Sequence, residues 1–257
     1  MAGSIAGVLG RSAGLIAQKY FGVAKGWRFV PVVVFVVISL RLSQGLFEDA
    51  IPMQSISRLK QNRIFGIIFK YHPEAEQEYI AGFKKILSGP NEQVNAASAA
   101  LGMEITIRYV GPHMLTASDA AIHRLLQTEA NILDSLKDNP TECVAQYLGT
   151  PSASRAKAIP RSLVEASIDA KAEIIESSVV TPSPPPKAAN IDNIAGAIIN
   201  AYRANGYDAG EFAKIEKVQS LPPSEGCEVG RRFISVLASM EEKQSSFVYK
   251  GLISAAK

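Results

Sequence analysis

The chain has 257 residues, 47% of them hydrophobic, which is enough for one large domain or two small ones with a genuine core. Its 27 basic and 24 acidic residues leave a net charge of +3. The excess sits at the N-terminus, where Arg11, Lys19, Lys25, Arg28 and Arg41 all precede the first acid, Glu48. The rest of the chain is close to neutral and has no basic stripe with interleaved aromatics, which argues against a nucleic-acid partner.

Residues 1–26 form a basic, acid-free lead, expected to lie in the cytoplasm. Within it, residues 5–21 gather Ile5, Val8, Leu9, Leu15, Ile16 and Tyr20 loosely on one helical face, as a short interfacial helix would. The small-residue pairs Gly3/Gly7 and Gly10/Gly14 lie in the same stretch and fit a flexible lead better than a packing face. Residues 29–40 (FVPVVVFVVISL) are the one long apolar run. A basic flank leading into such a run predicts a transmembrane segment with its N-terminus inside. Twelve residues of helix rise about 18 Å against a hydrocarbon core of about 30 Å. The span is therefore drawn over 27–47, from Trp27 at one interface to Phe47, with Arg41 snorkelling. The competing readings are a cleaved signal peptide, a mitochondrial presequence with an inner-membrane anchor, and a buried Val-rich strand. The first lacks a small-residue cleavage site after Leu40. The last lacks the βαβ pattern that would supply a sheet.

From residue 48 onward the pattern is helical. Residues 56–71 (Ile56, Leu59, Ile64, Ile67, Ile68, Tyr71) read as one amphipathic helix. His72-Pro73-Glu74 opens the next, with Pro at its first position, acids in its first turn and Lys84-Lys85 near its end. Residues 92–110 are Ala-rich. Their tail, 105–110, alternates like a strand but has no neighbour to pair with, so helix is expected. Residues 116–119 (Thr-Ala-Ser-Asp) resemble a capping box before a helix marked by Ile122, Leu125, Leu126, Ile132, Leu133 and Leu136. Asn139-Pro140 starts a shorter helix that Gly149 stops. Residues 160–178 give another.

Residues 181–187 (TPSPPPK) forbid helix and sheet alike and favour an extended connection; the alternative is a docking site for a Pro-binding module, which neither a flanking aromatic nor a basic cluster supports. Helices are expected again over 191–205, 208–221 and 224–257, with Gly206 as a stop. The expected architecture is all-α: a single transmembrane helix followed by an antiparallel multi-helix body. Its parts are a domain over 48–178, a Pro-rich linker over 179–189, and a subdomain over 190–257 packed on the first.

Only two cysteines occur, Cys143 and Cys227, each in the first turns of a helix opened by Pro and a hydroxyl residue. If the body lies outside the cytoplasm, a Cys143–Cys227 disulfide is expected. The alternatives are two buried free thiols or a reactive cysteine, the latter disfavoured by Glu142 and Glu228.

Of the histidines, His72 reads as a helix cap and His113 as a turn residue. His123 reads as a helix-face neighbour of Asp119. Ser118, Asp119 and His123 share one short stretch, where triad geometry is rare, and no G-x-S-x-G elbow accompanies them. Glu74, Glu76 and Glu78 spread around their helix and fit a solvated first turn. H-E-x-x-H, Cys-x-x-Cys and Walker sequences are absent. No catalytic, cofactor-binding or metal-binding residue is assigned, and no cofactor.

These readings converge on a membrane-anchored helical protein-interaction module, exposed on the non-cytoplasmic side of a bacterial inner membrane. Its partner would be an envelope protein, bound as a scaffold or inhibitor would bind it. A mitochondrial inner membrane is the alternative location, and an envelope hydrolase with a loop-built site is the alternative function. A membrane-surface regulator acting through the basic lead is a lesser third.

Overall fold

A computed structural model describes residues 52–87, 94–150, 158–185 and 191–255. The lead and the membrane segment expected over 1–47 lie outside these residues. Among the described residues no helix is long and apolar enough to cross a membrane. They are all-helical, with no strand.

The chain begins with α1 (Pro52–Gln61), α2 (Arg63–Tyr71), α3 (Pro73–Leu87) and α4 (Val94–Val110). The single helix expected over 56–71 is in fact two. Asn62 leaves the helix with φ −72° and ψ 126°, and its side-chain oxygen accepts the Phe65 N–H. An Asn cap outcompetes continuation because it satisfies an N–H that starting a new helix leaves free. The turn is tight: a Cβ on Gly66 would lie 2.8 Å from the Lys60 carbonyl oxygen. α2 and α3 close on a ring cluster in which Tyr79 meets Phe65 edge-on at 6.0 Å and stacks on Phe83 at 6.0 Å. The strand-like tail over 105–110 is helical, as its lack of a partner requires.

A 3-10 turn (Gly111–Leu115) then leads to α5 (Asp119–Ser135). The residue that caps α5 is Ser118, whose Oγ accepts the Ala121 N–H, not Thr116 as a capping box over 116–119 requires. Thr116 instead closes the 3-10 turn, its N–H donating to the His113 carbonyl. α6 (Pro140–Tyr147) ends at Gly149, which takes φ 68°. α7 (Arg161–Val180) runs two residues beyond the helix expected over 160–178. The remainder comprises α8 (Ile191–Ala204), a 3-10 segment (Ala209–Ser220), α9 (Pro223–Ser239) and α10 (Glu242–Ala255).

α5 is the axis of the body. It buries Ala121, Ile122, Leu125, Leu126, Thr128, Glu129, Ile132 and Leu133, a stripe too wide for one neighbour, and α7, α9 and α10 all pack on it. One hydrophobic core therefore runs from Leu59 to Ile253. The described part of the Pro-rich stretch, residues 181–185, is neither helix nor strand and is largely exposed. It is tied down by the Ser183 N–H donating to the Thr116 carbonyl at 2.8 Å.

The Cys143 and Cys227 sulfurs lie at disulfide distance, 2.04 Å, 84 residues apart in sequence. They join α6 to α9, whose close approach depends on glycine. A Cβ on Gly230 would sit 2.6 Å from the Tyr147 ring, and one on Gly226 would sit 3.1 Å from Val144.

Candidate functional site

The residues with chemical potential gather at the C-terminal end of α7. α2 stops at His72 because Pro73 follows, and a residue before proline is pushed out of the helical region. His72 takes φ −136° and ψ 75°, and its N–H caps the Ile68 carbonyl. That places its imidazole in the corner between α2 and α3. Its Nδ1 lies 3.2 Å from Glu74 Oε1, and its Nε2 lies 2.7 Å from His113 Nε2. His113 is held in the 3-10 turn after Pro112, and its Nδ1 lies 2.5 Å from Ser178 Oγ. The Tyr109 ring packs beside His72, with centroids 5.0 Å apart.

Four side chains from α3, the α2–α3 corner, the 3-10 turn and α7 thus form one chain, Glu74–His72–His113–Ser178. Counting protons along it gives two complete states. In one, His72 is cationic and donates to both Glu74 and His113 Nε2. His113 Nδ1–H then donates to Ser178, whose hydroxyl donates to the Ile175 carbonyl at 2.9 Å. In the other, with one proton fewer, Ser178 O–H donates to His113 Nδ1, His113 Nε2–H to His72 Nε2, and His72 Nδ1–H to Glu74. A second added proton would set two N–H groups against each other at 2.7 Å and break the chain. Burial, and then the neighbouring His72 charge, hold the His113 pKa below its ordinary 6.5.

The same helix end is exposed beyond Ser178. Among the described residues the exposed large hydrophobics are Leu87, Val179, Val180 and Phe247, so two of the four are here. Val180 is 66% exposed, and the exposed Pro182, Pro184 and Pro185 follow it. The adjoining cations are engaged. Arg63 donates to Asp169 and Glu176, and Arg108 to Glu78 and Glu104.

A second polar cluster is closed to solvent. Glu129 accepts from Gln146 at 2.9 Å, Ser167 at 3.3 Å and Lys171 at 3.4 Å, and Lys171 also donates to Ser167 at 2.8 Å. Glu129 and Lys171 are 0% and 1% exposed, so this Ser–Lys pair offers no path for a substrate.

The helix-face pair expected between Asp119 and His123 does not form. Asp119 accepts from Lys250 at 3.2 Å, whose ammonium also donates to the Ala117 carbonyl at 2.6 Å. His123 turns its Nε2 to Gln127, and its Nδ1 is buried without a partner. Glu74, Glu76 and Glu78 are each engaged, with His72, Lys60 and Arg108, rather than simply solvated. Among the described residues no group of three or more His, Cys, Asp or Glu could hold a metal ion. The His113–Ser178 contact spans 65 residues, and nothing in the local pattern of either residue points to the other. No family model, curated protein or solved structure matches the chain.

Proposed function

We propose that this chain is a membrane-anchored helical module whose body faces an oxidising, non-cytoplasmic space and binds an envelope protein, as a scaffold or an inhibitor. The reading rests on the exposed end of α7, where Val179 and Val180 stand out of the body beside an exposed, proline-rich arm. Exposed apolar residues are unremarkable singly, but a pair abutting a pinned, proline-rich segment has the form that protein grooves recognise. Two supports come from elsewhere in the chain. The cysteine pair at disulfide distance suits an oxidising compartment. The basic, acid-free lead before residues 29–40 suits an anchor with its N-terminus inside.

A photo-crosslinking residue placed at position 180, in cells, tests the binding end. The control position is Arg161, which is 82% exposed on its side chain at the other end of the same helix. A discrete adduct at 180 that disappears in Val179→Asp supports the reading. Equal yields at 180 and 161, or none at either, would end it. Reporter fusions after Lys257 with carbonate extraction test the location, and a cytoplasmic, extractable reporter would remove the anchor.

A further inference from the structure

We propose that the His72–His113 contact is an acid-sensitive latch, which parts on uptake of a second proton and releases the end of α7 and the proline-rich arm from the 3-10 turn. The two Nε2 atoms lie 2.7 Å apart, a distance that one proton between them satisfies and two forbid. Protons reach the pair from solvent, since the His72 side chain is 25% exposed.

Turning one ring does not relieve the conflict. His113 follows Pro112 in the 3-10 turn, its carbonyl accepts the Thr116 and Ala117 N–H groups, and its Nδ1 sits on Ser178. His72 precedes Pro73, its N–H is spent on the Ile68 carbonyl, and its Nδ1 sits on Glu74. Swinging either ring away gives up Ser178 or Glu74 as an acceptor just as that ring gains a charge. The remaining way out is for the turn to move off α7.

What the turn holds gives the latch its consequence. Residues 113–118 are stitched to α7 and the arm by His113 on Ser178, by the Ser118 N–H donating to Ser177 Oγ at 3.1 Å, and by the Thr116 carbonyl accepting the Ser183 N–H at 2.8 Å. The first two anchor the residues just before Val179 and Val180, and the third pins the arm. On its other side the turn stays on α10, where the Tyr249 hydroxyl reaches Met114 Sδ and the Lys250 ammonium donates to the Ala117 carbonyl. The opening is therefore a local parting from α7. That it governs partner binding rests on the reading of this helix end given above; the parting itself does not.

The surrounding charges leave the second proton unopposed. Around the pair stand Glu74 and Glu78 from α3, Arg108 and Tyr109 from α4, Ser178 from α7, and Lys250 from α10. Glu74 already serves His72. Glu78 is taken by Arg108, Glu176 of α7 by Arg63, and Asp119 by Lys250. Burial, and then the His72 charge, hold the His113 pKa below 6.5 in the closed form, whereas a freed His113 returns towards its ordinary value. The open form then binds more protons, so the closed form is fully favoured above pH 6.5 and loses ground as pH falls below it.

The test is hydrogen exchange on the full chain in detergent, from about pH 7.5 to about pH 5.5, with labelling times scaled for the intrinsic pH dependence of exchange. The amides of residues 116–118 and 183 should exchange up to about tenfold faster over the first pH unit below 6.5. The amides of residues 125–133, in the middle of α5, should keep their protection. His72→Gln should abolish the acceleration, because its amide can turn either oxygen or nitrogen to His113. His123→Gln, which removes the histidine outside the pair, should keep it. If His72→Gln does not fold, His113→Gln takes its place with the same expectation. Unchanged exchange in the native chain overturns the proposal, as does an acceleration that survives His72→Gln or vanishes in His123→Gln. An acceleration shared equally by α5 is global unfolding and overturns it too. The crosslink at position 180 is read separately: its absence ends the binding reading, while exchange on the chain alone still decides the latch.

Discussion

Lys171 shows how much of this fold rests on single buried groups. Its ammonium is buried in the core with Glu129 as its counter-charge, and burial pulls its pKa below the usual lysine value while Glu129 opposes the shift. Removing one partner of such a pair strands the other charge, which costs more than the pair contributes. Lys171→Met should therefore destabilise the body by about 3–5 kcal/mol in urea titrations. The double variant Glu129→Leu/Lys171→Met, which removes both charges at similar volume, should recover part of this loss, the remainder being the cost of leaving the Gln146 and Ser167 donors without Glu129. A single variant as stable as the native chain would mean that the pair is already open to water. Gly226 and Gly230 show the opposite economy. They hold α6 against α9 by lacking a Cβ, and this spacing places Cys143 opposite Cys227.

At the scale of elements, the break at Asn62 is where local chemistry overrode periodicity. Losing the Asn62 side-chain acceptor in Asn62→Ala should cost about 1 kcal/mol in the same titration, since the Phe65 N–H loses its partner. A stability gain would mean that a continuous helix over 52–71 is the better structure. The apolar residues at 56, 59, 64, 67 and 68 keep helical spacing across the break, so periodicity alone could not reveal it. Punctuation was more informative. Pro73 and Pro140 start helices, and Gly149 and Gly206 take φ 68° and 74° where helices stop. The tail over 105–110 was legible by elimination, because a lone strand has nothing to bond to. The stretch 208–221 carried a signal that α-helical expectation passed over. Phe212, Ile215 and Val218 recur at intervals of three, the period that eclipses side chains in a 3-10 helix, and all three are buried. The Glu74–His72–His113–Ser178 chain carried no such signal. The α2–α3 corner, the first turn of α3, the 3-10 turn and α7 bring it together, and each residue alone looked like a cap, a turn or a helix end.

At the scale of the whole molecule, the cysteine pair and the shared core make different demands on residues 190–257. α9 and α10 both pack on α5, so this part is expected to unfold together with the rest even when the Cys143–Cys227 link is removed. The link encloses α7, the proline-rich arm, α8 and the 3-10 segment, with the bonded cysteines 84 residues apart. In the chain-entropy model, closing such a loop restricts the unfolded chain and stabilises the native one by about 4–5 kcal/mol as an upper figure. Cys143→Ala/Cys227→Ala should therefore shift the urea midpoint downward in one cooperative step, and reduced native protein should shift similarly. Two resolved transitions would instead show that residues 190–257 fold as a separate unit held mainly by the bond. An unshifted midpoint, with two alkylatable thiols in freshly isolated protein, would show that the sulfurs are not bonded in the cell. The compartment argument would then lose its support, because two buried thiols at α6 and α9 are as much at home in a reducing space.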